Sequence, residues 1–195
     1  MVRFAKGSRT SCAARPRQKG AKTMIELKPF QEIDFDLLNS HIQDAKFMRQ
    51  WAGPKYTFPL TWEQIDTRNR KTINGVKAIH IFKAIHSDSN KTIGFVEIIV
   101  QDLATRKARI GSVLVFEKYR GFKYGKELMK ESISLAFNQL NMLELTLGVY
   151  DFNLSAIMCY KSLGFEEIEF IEDKNQFENQ FWNSIEMKLN KTKWE

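Results

Sequence analysis

The sequence predicts an α/β domain: a mixed, mostly antiparallel sheet of six or seven strands with helices on both faces. Three observations carry that expectation. Between residues 76 and 116, three apolar and β-branched runs follow one another like a meander. The last of these runs stops at a glycine-bearing loop, and an amphipathic helical segment begins at once. Further on, an alternating strand, a short helix and a terminal hairpin complete the chain.

The 195 residues suit one domain, or one domain and a tail, and 43% hydrophobic content supports a substantial core. The pI of 9.4 suggests a nucleic-acid binder until the charge is located. Residues 1–23 hold Arg3, Lys6, Arg9, Arg15, Arg17, Lys19 and Lys22 and no acid, so all of the net +7 lies there. The remaining body carries 23 basic and 23 acidic residues and is neutral. The basicity therefore belongs to a tail, which is expected to be disordered. It could be a transit-like segment, a basic arm for nucleic acid or anionic membrane, or a cloning leader or over-extended start before Met24; the last is favoured. No apolar run approaches the roughly 20 residues of a membrane span. Cys12 and Cys159 are too few and too separated for a zinc pattern, so no metal is expected and a reducing, cytoplasmic setting is the simplest inference.

Met24 to Phe30 reads as an edge strand. Asp34 is expected to cap a helix through Phe35, Leu37, Leu38 and Ile42, and a second short helix carries Phe47, Met48 and Trp51. The loop Gly53 to Leu60 is heavy in aromatics; Trp51, Tyr56 and Phe58 are candidates for a substrate wall, against the alternative that they cover the core. Thr61 opens a third helix, with Glu63 or Gln64 completing the cap. Strands are expected at Val76 to His86, Ile93 to Gln101 and Arg106 to Phe116, with Ser87 to Asn90 as a turn. After the long helix, Leu143 to Tyr150 alternates as a strand. Asp151, Phe152 and Asn153 lead into a helix that ends at Leu163, with Gly164 as its stop. Phe165 to Phe170 and Phe181 to Leu189 form the hairpin, joined by the polar stretch Glu172 to Gln180.

Chemistry concentrates at two places. The first is Val113-Leu114-Val115 followed by Arg120-Gly121-Phe122-Lys123-Tyr124-Gly125-Lys126. Strand, glycine loop and helix offer unpaired N–H groups and the positive end of a helix dipole to an anion. A P-loop is excluded, because Gly121 and Gly125-Lys126 are too close and Glu127 follows; the dinucleotide fingerprint is absent. The second is Asn153, Ala156, Tyr160 and Leu163, which share one helical face at spacings of three, four and three, before Gly164-Phe165.

These stretches resemble motifs A and B of the GNAT acyltransferases. Arg120 and Gly125 match Gln/Arg-x-x-Gly-x-Gly/Ala, with Lys123 standing where the family usually has glycine. Asn153, Ala156, Tyr160, Gly164 and Phe165 match Asn-x-x-Ala-x-x-x-Tyr-x-x-x-Gly-Phe. The resemblance covers Met24 to Leu189, is closest in feel to the Rim-type and antibiotic-modifying branch, and implies one GNAT-fold domain over residues 24–190. It further implies acetyl-CoA as co-substrate, with backbone groups of Val113, Leu114 and Val115 on the pantetheine arm, residues 120–126 at the pyrophosphate, Asn153 fixing the cofactor and Tyr160 as general acid. The implied activity is acetyl transfer to a primary amine of a small molecule or a protein N-terminus, by direct attack in a ternary complex. The enzyme would be a monomer or homodimer with no nucleic-acid partner. Glu97, an acid in an apolar strand, is the candidate base, because burial would raise its pKa; the alternative places it on the solvent side, paired with a lysine. A non-catalytic acyl-CoA-binding module and nucleic-acid binding through the basic arm are the rivals.

Overall fold

The computed structural model describes residues 24–194; the basic segment 1–23 lies outside them. The chain forms β1 (Ile25–Pro29), a 3-10 turn (Glu32–Asp34), α1 (Phe35–Asn39), α2 (Ala45–Ala52), a second 3-10 turn (Gly53–Lys55) and α3 (Trp62–Asn69). A small hairpin of β2 (Thr72–Ile73) and β3 (Val76–Lys77) leads into β4 (Ile79–His86), β5 (Lys91–Asp102) and β6 (Lys107–Val115). Then follow α4 (Tyr124–Asn138), β7 (Glu144–Tyr150), α5 (Leu154–Lys161), β8 (Glu166–Phe177), β9 (Gln180–Asn190) and the single turn α6 (Lys191–Trp194).

Seven strands make one sheet in the order β1-β4-β5-β6-β7-β9-β8. Every neighbouring pair is antiparallel except β6 and β7. This is the expected mixed α/β architecture. Strand alternation sorts the core into two layers. Val96, Ile98, Ala108 and Ile110 meet Leu128, Met129, Ile133 and Ala136 of α4 on one face. Ile79, Ile81, Phe95 and Leu114 meet Leu38, Met48 and Ile65 of α1 to α3 on the other. Burial of these aliphatic and aromatic side chains, at roughly 1.5–3 kcal/mol each, is the main force holding the helices to the sheet.

The helix starts follow local chemistry. Asp44 accepts from the Phe47 N–H at 2.7 Å, and Thr61 from the Gln64 N–H at 3.4 Å, each satisfying an orphan donor of the first turn. Asp34 differs from expectation. Its buried carboxylate accepts from the Gln31 N–H at 2.9 Å and from Lys83 Nζ at 2.6 Å, and it does not cap α1. The helix it precedes ends at Asn39, short of Ile42.

Two strand boundaries also differ. Ala78 separates β3 from β4, because Asn74 and Gly75 turn the chain back at positive φ into the small hairpin. The terminal hairpin is longer than expected: after an irregularity at 172–174 the ladder resumes from Asn175 to Phe177, with only Glu178 and Asn179 between β8 and β9. An edge strand exposed on both faces has no apolar alternation to betray it, and β8 is exposed almost throughout.

The irregularity that matters is in β6. Phe95 pairs with Leu114 and Glu97 with Gly111, so Ser112 and Val113 together face Val96 across the ladder. This is a β-bulge, with Ser112 in the left-handed region at φ 49°. It swings Leu114 to the α1–α3 face. Across the strand, a Cβ on Gly94 would overlap the Leu114 carbonyl oxygen, which only glycine allows. Gly94→Ala is therefore expected to lower unfolding free energy by about 2–3 kcal/mol in urea titration, the range of core overpacking. A change within about 0.5 kcal/mol, the size of a neutral surface substitution, would show that the strands close without this constraint.

Candidate active site

Strands β6 and β7 pair over three residues only, Lys107 to Arg109 against Glu144 to Thr146. Beyond Arg109 the two strands diverge, and the β7-facing edge of β6 has no strand partner. A cleft of about 390 Å³ opens there, walled by β6 from Arg109 to Leu114, β7 from Leu147 to Tyr150, and the chain from Gln50 to Lys55. Asn153 and Tyr160 enter it from α5, and Lys174 and Glu186 from the terminal hairpin.

The glycine loop sits at the end of β6 where that edge is open. Gly121 and Lys123 hold positive φ of 83° and 66°, so the chain turns sharply before α4. Arg120 Nε donates to the Val115 carbonyl at 3.0 Å and ties the loop to the strand. The first loop-to-helix bonds run from Lys126 and Glu127 N–H to the Lys123 carbonyl. Among the described residues, the five successive N–H groups from Gly121 to Gly125 meet no protein acceptor. They adjoin Lys123, Lys126 and the positive end of a 15-residue helix, which is chemistry for an anion. A Cβ on Gly125 would only touch Val115 Cγ2 at 3.9 Å, so its bareness serves approach from outside and not internal packing.

Tyr160 is half-buried, packed beside Phe165 at 6.1 Å between ring centres. Its hydroxyl has no hydrogen bond among the described residues, and it lines the cleft. Burial pushes the phenol well above its ordinary value of 10.0, with Cys159 beside it adding to the rise, so it holds its proton at neutral pH. Asn153 caps α5, its carbonyl oxygen accepting from the Ala156 N–H at 3.3 Å and from Ser155 Oγ at 3.2 Å, while also facing the cleft.

Glu97 lies on the α1–α3 face, 2% exposed. It accepts from Lys55 Nζ at 3.2 Å, from an Arg68 Nη at 3.2 Å and from the Tyr56 hydroxyl. Burial alone would raise its pKa and is the largest single influence. Lys55, Arg68 and the two hydrogen bonds together outweigh it, and the carboxyl lies below its usual range. The expectation of a raised pKa is thus corrected, and so is the solvent-side alternative. Tyr56 is driven upward by burial and by the Glu97 charge; its role is to satisfy that carboxylate beneath the cleft. Trp51 does reach the cleft wall, and its Nε1 donates to the Ser112 carbonyl at 2.8 Å. Phe58, at 44% exposed, stands on the surface away from the cleft.

Sequence reasoning missed Lys55, Ser112, Arg109 and Glu186. Lys55 Nζ donates to Ser112 Oγ at 2.6 Å, so Trp51 and Lys55 together pin both polar groups of the bulge residue. Arg109 forks onto Glu186 at 2.6 and 3.1 Å over Gly148, where any side chain would collide with the pair. The lone sequence signal was Gly148, a glycine inside the alternating strand from Leu143 to Tyr150.

Residues 45–165 match the acetyltransferase (GNAT) family. The chain belongs to that family, and it is an acyltransferase. Solved structures agree on the fold. A spermidine N-acetyltransferase from Vibrio cholerae, in complex with CoA and spermine, superposes with a TM-score of 0.76 at 17% identity, over 89% of this chain and 99% of that one. A spermidine/spermine N-acetyltransferase from the same organism, with manganese ions, gives 0.71 at 18%, over 88% and 95%.

Glu97→Gln leaves Lys55 and Arg68 facing each other without their shared anion, which is expected to cost about 3–5 kcal/mol at neutral pH. The stability tied to a carboxyl depressed below its ordinary 4.5 is fully present above that value and is lost as pH falls through the folded value. The gap between wild type and variant should therefore narrow as pH falls below about 4.5. Paired urea titrations at several pH values check this; a gap that widens on acidification contradicts it.

Proposed function

We propose that the protein transfers an acetyl group from acetyl-CoA to a primary amine of a small molecule or peptide, by direct attack in a ternary complex. The observation that carries this reading is the run of five free N–H groups from Gly121 to Gly125, set at the mouth of the gap between β6 and β7. The loop fits a pyrophosphate: it offers donors, lysines and a helix dipole, with no side chain on Gly125 to block approach. The open edge of β6 from Val113 to Val115 offers backbone groups to the amides of a pantetheine arm, which would lie against it like an added strand. The bound co-substrate supplies a thioester, an acyl group already activated for attack.

The chain's own residues do the rest. The amine nitrogen bonds to the thioester carbon as the carbon–sulfur bond breaks. Tyr160, protonated and without another hydrogen-bond partner, gives its proton to the departing thiolate and regains one from solvent. Asn153 holds the start of α5, and so the position of Tyr160 two turns later. The CoA- and spermine-bound relative supports the cofactor and an amine acceptor as classes.

Two substitutions test the reading. Gly125→Glu places a carboxylate where the pyrophosphate approaches, in a position with space for it, so the protein should fold and calorimetry should find no acetyl-CoA binding. Lys123→Gly is its control: the lysine holds a left-handed conformation that costs roughly 1–2 kcal/mol, so glycine there should keep binding and leave stability equal or higher. Normal binding by Gly125→Glu would remove the loop from the site. Tyr160→Phe keeps the ring and removes the proton; kcat should fall by ~10²–10⁴ while acetyl-CoA affinity is held. An unchanged kcat, with chemistry shown to limit turnover, would end the general-acid role.

A further inference from the structure

The cleft holds a charge imbalance with a consequence for its acceptor. Four charged residues line it: Lys55, Arg109, Lys174 and Glu186. Glu186 is spent on Arg109 through both oxygens. Behind the wall, Glu97 is spent on Lys55, Arg68 and Tyr56. One buried carboxylate thus serves two cations, and Lys174 has no ion pair or hydrogen bond among the described residues. Two positive charges are left over, and no carboxylate of the lining is free. Glu172 and Asp173 precede Lys174 on β8 but neither lines the cleft.

These charges are not placed for the cofactor. Gly111, Arg109 and Glu97 share the face of the sheet covered by α1 to α3, since Glu97 pairs with Gly111 and Ile99 with Arg109 across the ladder. The glycine loop opens α4, which covers the opposite face. Lys55, which bonds Glu97 on that face, lies on the side from which an acceptor would meet the thioester, and Lys174 lines the same cleft. Lys55 has three N–H donors; two go to Glu97 and Ser112, and its side chain is 25% exposed to the cleft. Burial, with Arg68 and Arg109 nearby, holds its pKa below the ordinary value in spite of Glu97.

We propose that the acceptor is an amine that also bears a carboxylate, received by the remaining donor of Lys55 and by Lys174, and that a polyamine is a poor acceptor. A polyamine brings several positive charges to a wall that offers no unpaired anion. An amino-acid-like amine brings the missing negative charge. The wall also favours the reaction of its amine: nearby positive charge lowers an ammonium's pKa and increases the share of neutral nitrogen able to attack.

This inference rests on the transferase reading, and one experiment separates the two. The full chain is supplied with acetyl-CoA and a panel in which each amino acid stands beside the amine lacking only its carboxylate, lysine beside cadaverine for example, together with spermidine and spermine. Free-thiol release is read as kcat/KM. The carboxylate-bearing member is expected to lead its partner by roughly 10- to 100-fold, the range of one charge-assisted hydrogen bond. Lys174→Glu, an exposed change, should erase most of that ratio while acetyl-CoA affinity stays as in wild type. Spermidine or the decarboxylated amines turning over as well as their partners would overturn the inference and leave the transferase reading standing. A ratio that survives Lys174→Glu would overturn the assignment of this wall. No thiol release from any amine, with acetyl-CoA bound, would overturn both.

Discussion

The site depends on one geometric fact: β6 and β7 are parallel neighbours that part after three paired residues. A parallel pair needs a crossover, and here α4 supplies it, starting where β6 ends and finishing before β7 begins. The glycine loop is therefore bound to lie at the mouth of the gap. The bulge at Ser112 keeps the gap open, since it twists β6 away and leaves its far edge without a ladder. A left-handed serine is a strained choice, at roughly 1–2 kcal/mol, and it persists because its carbonyl is held by Trp51 and its hydroxyl by Lys55. Glu97 then anchors Lys55, so the buried carboxylate and the bulge are parts of one support.

How much of this was legible in the sequence follows from how local each feature is. The glycine loop and the Asn153-to-Tyr160 face were legible because their chemistry sits within a dozen residues and their spacing is the helix's own. The seven-stranded sheet followed from apolar runs of strand length. What could not be read was long-range. Lys55 meets Glu97 across 42 residues and Arg68 meets it across 29, and nothing in a periodic pattern marks such partners. Aromatic content singled out Trp51, Tyr56 and Phe58 alike, and the fold separates them: Trp51 lines the cleft, Tyr56 goes beneath it and Phe58 faces outward. Composition hid the outer end of the terminal hairpin, because a strand exposed on both faces reads as a polar loop.

The electrostatics of the site are set by pairing and not by burial alone. Glu97 is buried with the core around it, and an isolated acid there would be neutral. Two cations and a phenol reverse that outcome. The same network leaves Lys55 under-compensated and Tyr56 fixed in its protonated form. Burial and one shared set of contacts thus lower the pKa of Glu97 and Lys55 and raise that of Tyr56.

That arrangement bears on where protons go in acetyl transfer. A carboxylate held below its usual range and ringed by donors is a weak acceptor for an ammonium proton, so Glu97 supports the cleft without drawing a proton from it. Glu186 is equally committed, to Arg109. In the proposed transfer, with no free carboxylate among the described residues that line the cleft, the amine would shed its proton to water, aided by the positive charge beside it. Tyr160 faces the opposite problem: burial makes it a weaker acid, and each unit its pKa lies above the thiol's adds about 1.4 kcal/mol to proton transfer. A thiolate expelled into a half-buried cleft is itself poorly solvated and correspondingly more basic, which brings the two groups back toward a match. Donor and leaving group share one low-dielectric environment, and it is their difference, not the value of either, that sets the cost.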